Sequence, residues 1–235
     1  NPVVMRRIVE RLVSLVYPNV CEVCGRSLSP GEDVLCLHCL HALPRTDAHL
    51  SDFNMVHKRL ASTVPIERAA GYFYYYKESP YVELIHRAKY QGRPAIVRKL
   101  AARFARELRP TGFFDGIDLI LPVPMHRLKL IRRGYNQCDY IAHGLSEVSG
   151  VKIGDNLVAT KKHATQTMRG SYLRWLNAGD VYGVKNGAEL AGKHLLVVDD
   201  VLTTGSTMLA CCGAIHAAAP SCRVSVLTLG VTHLS

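Results

Sequence analysis

Leu195-Leu196-Val197-Val198-Asp199-Asp200-Val201-Leu202-Thr203-Thr204-Gly205-Ser206-Thr207 decides the fold. It reads as an apolar strand ending in two acids, then a hydroxyl-rich turn, then the start of a helix. Thr203, Thr204, Ser206 and Thr207 offer hydroxyl donors. Gly205 lets the backbone approach a ligand closely. A helix N-terminus adds free N–H groups and the positive end of a dipole, so an anion fits there. The carboxylates of Asp199 and Asp200 repel a phosphate, so they are expected to face sugar hydroxyls or a hydrated Mg²⁺. The plainer reading is a buried strand followed by an N-capped helix. It does not account for two acids and four hydroxyl residues together. Two other phosphate motifs fail. Gly187–His194 resembles a P-loop, but His194 stands where Ser or Thr is required, and its strand follows the loop. No G-x-G-x-x-G follows a strand.

The flanking sequence sets the fold class. Arg68–Tyr76 is aromatic-rich and reads as a strand. Tyr81–Tyr90 reads as helical. Ile96–Leu108 reads as a helix with Val97, Leu100, Ala101, Phe104 and Leu108 on one face. Ile117–Val123 is a short buried strand, with Pro122 at its end. Residues 136–149 read as a helix closed by Gly150. Val181–Val184, His194–Asp199 and Arg223–Val231 are expected strands, and Ser206–Ala219 is a helix stopped by Pro220. Strands alternating with helices predict an α/β fold with a parallel sheet flanked by helices.

The chain has eight cysteines. Cys21-x-x-Cys24, eleven intervening residues and Cys36-x-x-Cys39 form two knuckles. Such a set closes a structural Zn²⁺ site with no open position. Cys211 and Cys212 sit in an apolar helical stretch and are expected to be core residues. Three regions follow: an N-terminal helix and zinc ribbon over 1–44, a polar connector over 45–67, and a ligand-binding domain over 68–235. In the first region Val4, Ile8, Leu12, Leu15 and Val16 fall at helical spacing and are broken by Arg6, Arg7, Glu10 and Arg11. That predicts an amphipathic helix rather than a signal peptide.

No apolar run reaches the roughly 18 residues of a membrane span. The net charge of +10 favours anionic partners, either phosphate ligands or nucleic acid, although a solvated basic surface gives the same count.

The Asp199–Thr207 segment resembles the phosphoribosyl-pyrophosphate (PRPP) motif of type I phosphoribosyltransferases. In that family the acids hold ribose hydroxyls and the loop cradles the 5′-phosphate. His86-Arg-Ala-Lys89-Tyr90-Gln-Gly92, Pro122-Val-Pro124, Arg132-Arg133-Gly134-Tyr135-Asn136-Gln137 and Thr165-Gln166-Thr167 extend the likeness. With the four-cysteine ribbon, the chain is similar to the ComF/GntX family over nearly its whole length. Members are cytoplasmic bacterial proteins, some implicated in natural competence.

The resemblance implies a type I phosphoribosyltransferase-like domain, PRPP with Mg²⁺ as ligand, and cytoplasmic localisation. It places pyrophosphate at the loop of Met125, His126 and Arg127, with Lys129, Arg132 and Arg133 as a basic cluster. Asn136 and Gln137 either contact ligand or cap a helix. Lys89 is either a site cation or an ordinary surface lysine. Lys161, Gln166, Arg169 and Arg174 fall where the family carries a mobile loop, but Tyr172 and Trp175 make this stretch more apolar than in many relatives. Two functions fit: phosphoribosyl transfer to an unknown acceptor, or a non-catalytic PRPP sensor that binds single-stranded DNA in the competence machinery. A zinc adaptor with a dead site fits poorly, because Asp199, Asp200 and Thr203–Thr207 are all present.

Overall fold

Residues 19–61, 63–160 and 181–233 are described by the computed structural model. The expected helix over 1–17 and the stretch holding Lys161, Thr165–Thr167, Arg169, Tyr172, Arg174 and Trp175 lie outside them. Contacts divide the chain into two units, Asn1–Leu43 and Pro44–Ser235.

In the smaller unit, Val20 and Ser27 form an antiparallel bridge across the first cysteine knuckle. Gly25 closes that knuckle at φ 72°, with its N–H on the Cys21 carbonyl. Helix α1 (Leu37–His41) starts at the second knuckle, where the Cys36 sulfur accepts the Cys39 N–H at 3.5 Å. The Glu32 carboxylate accepts the N–H groups of Ser29 and Leu37, each at 2.6 Å, and so joins the intervening loop to α1. Cys21, Val34, Leu35, Cys36, Cys39 and Leu43 are buried. So few apolar residues do not stabilise a fold unaided.

In the larger unit the stretch expected to be a polar connector holds a 3-10 turn over Ala48–Leu50 and helix α2 (Met55–Leu60). Val56, Leu60, Val64 and Ile66 are buried in the main core, so 45–67 is part of the domain. Asn54 caps α2 through its side-chain oxygen, and its amide donates to the Ala69 carbonyl at 2.8 Å, tying α2 to the sheet. The sheet strands are β1 (Ala69–Tyr74), β2 (Leu119–Pro122), β3 (Lys152–Ile153), β6 (His194–Leu202) and β7 (Arg223–Val231). They lie in the order β1-β7-β6-β2-β3, all parallel. Strands β4 (Leu157–Ala159) and β5 (Tyr182–Val184) form a separate antiparallel pair. The Val181–Val184 expectation therefore yields a strand outside the main sheet.

Helices α3 (Val82–Tyr90), α4 (Ala95–Leu108), α5 (Arg127–Arg133), α6 (Gln137–Ser149) and α7 (Ser206–Ala218) complete the fold. Strand residues alternate between faces. Leu195, Val197, Val224 and Val226 pack with α2 and with Met208, Cys211, Cys212 and Ile215 of α7. The opposite face, with Leu196 and Val198, meets α6, which packs on α4. Gly144 makes that approach close, since a Cβ there would lie 2.1 Å from the Arg98 carbonyl oxygen.

The strand that carries the acids is longer than expected. The strand does not end at its acids, because Val201 and Leu202 continue it and pair with Gly230 and Val231. Asp199 and Asp200 thus stand within the ladder, at its carboxyl end, where ligands of open α/β sheets bind.

Candidate functional site

Asp199 and Asp200 meet a cavity of about 500 Å³. Asp200 is buried and both its oxygens are engaged. Lys89 Nζ, from the last turn of α3, lies 2.9 Å from Oδ1, and Gln137 Nε2 donates to Oδ2 at 2.6 Å. Asp199 Oδ1 accepts the Asp200 N–H at 2.8 Å and the Cys138 thiol at 3.4 Å. Burial, and then the neighbouring Asp200 charge, push the Asp199 carboxyl up to about 7. Burial and the two acids also raise Cys138, which stays a thiol and donates. For Lys89, burial works against the charged form, but Asp200 outweighs it and the ammonium titrates above its ordinary range.

Beyond the acids the chain turns through Thr203 and Thr204 into α7. Gly205 stands before the helix at φ 85°, a conformation that side chains disfavour. A Cβ there would also lie 2.9 Å from Leu60 Cδ2 of α2. Thr203, Thr204, Ser206 and Thr207 are exposed, and Thr203 and Thr207 line the cavity. The first N–H groups of α7 have no partners within the helix. Behind the turn, Arg59 of α2 donates to the carbonyls of Leu202 (3.2 Å), Thr203 (2.8 Å) and Thr232 (2.7 Å). These carbonyls would repel an anion, so holding them back leaves N–H and hydroxyl groups to face it.

The opposite wall comes from the loop after β2 and from α5. Met125, His126, Lys129 and Arg133 line the same cavity as the acids. Arg127 does not; it lines a neighbouring hollow of about 590 Å³ with Asp139 and His143. Arg132 lines a pocket of about 270 Å³ with Lys89, Tyr90, Gly92, Lys129, Arg133 and Tyr135. The Arg133 guanidinium sits 5.1 Å over the Tyr90 ring. Leu202 is buried, and Leu202, Thr204, Gly205 and Ser206 shape the turn without lining the cavity.

Asn136 and Gln137 both line the cavity. Asn136 caps α6, its side-chain oxygen accepting the Cys138 N–H at 3.2 Å, while Gln137 reaches Asp200. Two residues were missed. Cys138 looks in sequence like any helical cysteine, and Arg59 lies in a stretch read as connector. Of the two readings open for Lys89, the contact with Asp200 fits the site cation. Its position one residue before Tyr90, inside a motif, was the available signal.

Both ligand sets fit a cation. The sulfurs of Cys21, Cys24, Cys36 and Cys39 all lie within 4.8 Å of one another. The 3.7 Å between Cys24 and Cys36 matches the edge of a tetrahedron whose corners are about 2.3 Å from a central ion. The Cys39 N–H, and after it Arg26, lower the Cys36 thiol to about 6, while burial holds the Cys39 thiol well above its ordinary range. At the cavity, Asp199 and Asp200 supply hard oxygen donors suited to a hydrated divalent ion.

A strand-borne acid pair, a glycine turn and a helix N-terminus at the carboxyl edge of a parallel sheet define a sugar-phosphate-binding α/β protein. The chain belongs to the phosphoribosyltransferase family, whose "Phosphoribosyl transferase domain" model matches residues 97–230. DNA utilization protein YhgH of Escherichia coli K12 is 29% identical over 200 residues, 83% of each chain. Competence protein F of Haemophilus influenzae is 35% identical over 136 residues, 53% of this chain and 57% of its own. Among solved structures, adenine phosphoribosyltransferase of Saccharomyces cerevisiae superposes with a TM-score of 0.39 at 16% identity, over 59% of this chain and 69% of that one. Among the described residues, no helix is long and apolar enough to cross a membrane.

Proposed function

We propose that the cavity binds PRPP with Mg²⁺. Asp199 and Asp200 take the ribose hydroxyls, and the turn from Thr203 to Thr207 takes the 5′-phosphate. Lys129 and Arg133, with the backbone of Met125 and His126, take the pyrophosphate. The observation that carries this reading is the meeting of two carboxylates, a helix N-terminus and a cationic wall around one cavity. Mg²⁺, when bound, adds charge neutralisation on the pyrophosphate. In transfer, the C1–pyrophosphate bond breaks with its electron pair leaving on oxygen, and an acceptor nucleophile bonds C1 and gives up its proton. Lys129 and Arg133 stabilise the charge growing on the leaving group. The four cysteines hold one structural Zn²⁺. Cytoplasmic residence goes with this reading, since thiols stay reduced there.

Calorimetric titration of PRPP with Mg²⁺ tests the reading. The wild type is expected to bind, and the Asp199→Ala, Asp200→Ala double variant to lose at least about a hundredfold in affinity, as loss of several charge-assisted hydrogen bonds implies. No binding by the wild type, or equal binding by the variant, overturns it. Release of pyrophosphate with a panel of nucleobases tests transfer.

A second reading, a PRPP sensor that binds single-stranded DNA in competence, is favoured by α5. This helix has no buried residue, carries Arg127, Lys129, Arg132 and Arg133, and lies beside the exposed Tyr90 ring. The relatives' names, DNA utilization protein and Competence protein F, point the same way. Affinity for single-stranded DNA that falls steeply with salt and ignores sequence would support it. No DNA affinity at low salt would remove it.

A further inference from the structure

Lys89 stands between two hollows. It lines both the cavity of about 500 Å³ with the acids and the pocket of about 270 Å³ with Tyr90, Lys129, Arg132 and Arg133. Its ammonium is spent on Asp200, 2.9 Å away, and both side chains are largely buried, at 22% and 5% exposure. Two adjacent carboxylates in such a place are costly without a cation, because burial penalises charge and each acid repels the other. Lys89 supplies that cation to Asp200. A divalent ion or a ribose hydroxyl that engages Asp200 shares or takes the place of Lys89 on Oδ1 or of Gln137 on Oδ2. The released ammonium sits on a flexible four-carbon stem. Lys129 and Arg133 line both hollows with it, so the ammonium can join them around an anion bound there. An anion there gains a third positive neighbour.

We propose that Lys89 is an exchangeable internal counterion, which neutralises Asp200 in the free protein and transfers to the pyrophosphate group when the ligand and its divalent ion engage the acids. The inference rests on the PRPP reading and adds a residue and a direction of movement to it. Lys89 then opposes binding of a metal ion alone and favours binding of the polyphosphate, so metal and ligand arrive best together.

The two effects have opposite signs, and that makes the test sharp. Lys89→Met keeps the length of the stem and removes the charge. Binding of Mn²⁺ alone is read by electron paramagnetic resonance, and binding of magnesium pyrophosphate by calorimetry. The variant is expected to bind Mn²⁺ roughly tenfold tighter and magnesium pyrophosphate roughly tenfold weaker, the scale of one charge-assisted contact. Lys89→Arg, which keeps the charge, should stay near the wild type in both. A purely structural lysine would weaken both together. Changes of the same sign, or no change in either, overturn the proposal. Lys89→Gln, which retains a hydrogen bond to Asp200, gives the same two readouts if the Met variant does not fold. Failure of the PRPP reading looks different, because the wild type itself would then bind no PRPP.

Discussion

The four cysteines and the Asp199–Asp200 pair are both clusters of donor atoms lying within 4.8 Å of one another, yet they are built in opposite ways. The cysteines come from two tight knuckles, three of them are buried, and the 3.7 Å between Cys24 and Cys36 suits a tetrahedral ion. Nothing is left open for a substrate. The acids come from one strand, and their remaining contacts are a thiol, an amide and an ammonium delivered by α6 and α3. Each of those contacts is weaker or more mobile than a covalent tie, and the cavity stands open in front. A closed set spends its ligand on folding, while an open set with provisional partners keeps its charge ready for exchange.

The sharpest way to break this contrast is to remove the metal from the closed set. Cys21→Ser with Cys36→Ser should lose a bound zinc and make residues 19–43 sensitive to protease, since structural zinc contributes about 10–16 kcal/mol in small ribbons. The larger unit has its own core and should keep its PRPP affinity within about twofold. Equal loss of both would mean that the cysteines serve the cavity directly.

Arg59→Ala comes next. It strips three carbonyl contacts from behind the turn of Thr203 to Thr207. A loss of about 2–3 kcal/mol in stability is expected, together with weaker binding of ribose 5-phosphate than of pyrophosphate. A uniform loss for both ligands would count against a local brace. Gly205→Ala should cost about 1–2 kcal/mol through its positive φ, lowering Tm by a few degrees.

The smallest effect concerns pH. With its carboxyl raised to about 7, Asp199 favours the folded state fully when protonated, below its ordinary range near 4. That contribution is lost as pH rises through about 7. Asp199→Asn should therefore raise Tm at pH 8, by roughly 2–4 °C for each kcal/mol relieved, and change little at pH 4. PRPP binding needs the ionised acid, so wild-type affinity should rise from pH 6 to pH 8. A flat profile in both measurements would show that Lys89 already holds Asp199 ionised.

Much of this was legible in sequence because long apolar strands announce themselves. Arg223–Val231 is β7 to the residue, and Pro122 and Gly150 mark the ends of their elements. The pieces that went unread are short or exposed. Strand β3 has two residues, α2 has six, and α5 buries nothing, so none shows a hydrophobic period. The hydroxyl-rich turn was readable because its residues are contiguous. Cys138 and Arg59 were not, since their partners lie far along the chain and only the fold brings them together, and for Lys89 the motif showed the candidate but not its partner Asp200.

The brace formed by Arg59 also bears on where the working module begins. The family match starts at residue 97, yet Arg59, the edge strand β1 and Lys89 all precede it. A fragment cut at the start of the match would keep the acids and the glycine turn but lose the strand beside β7, the grip on Leu202, Thr203 and Thr232, and the cation on Asp200. The inheritable motif is therefore shorter than the physical one. Any attempt to transplant this site into another chain has to carry the residues from Pro44 onward.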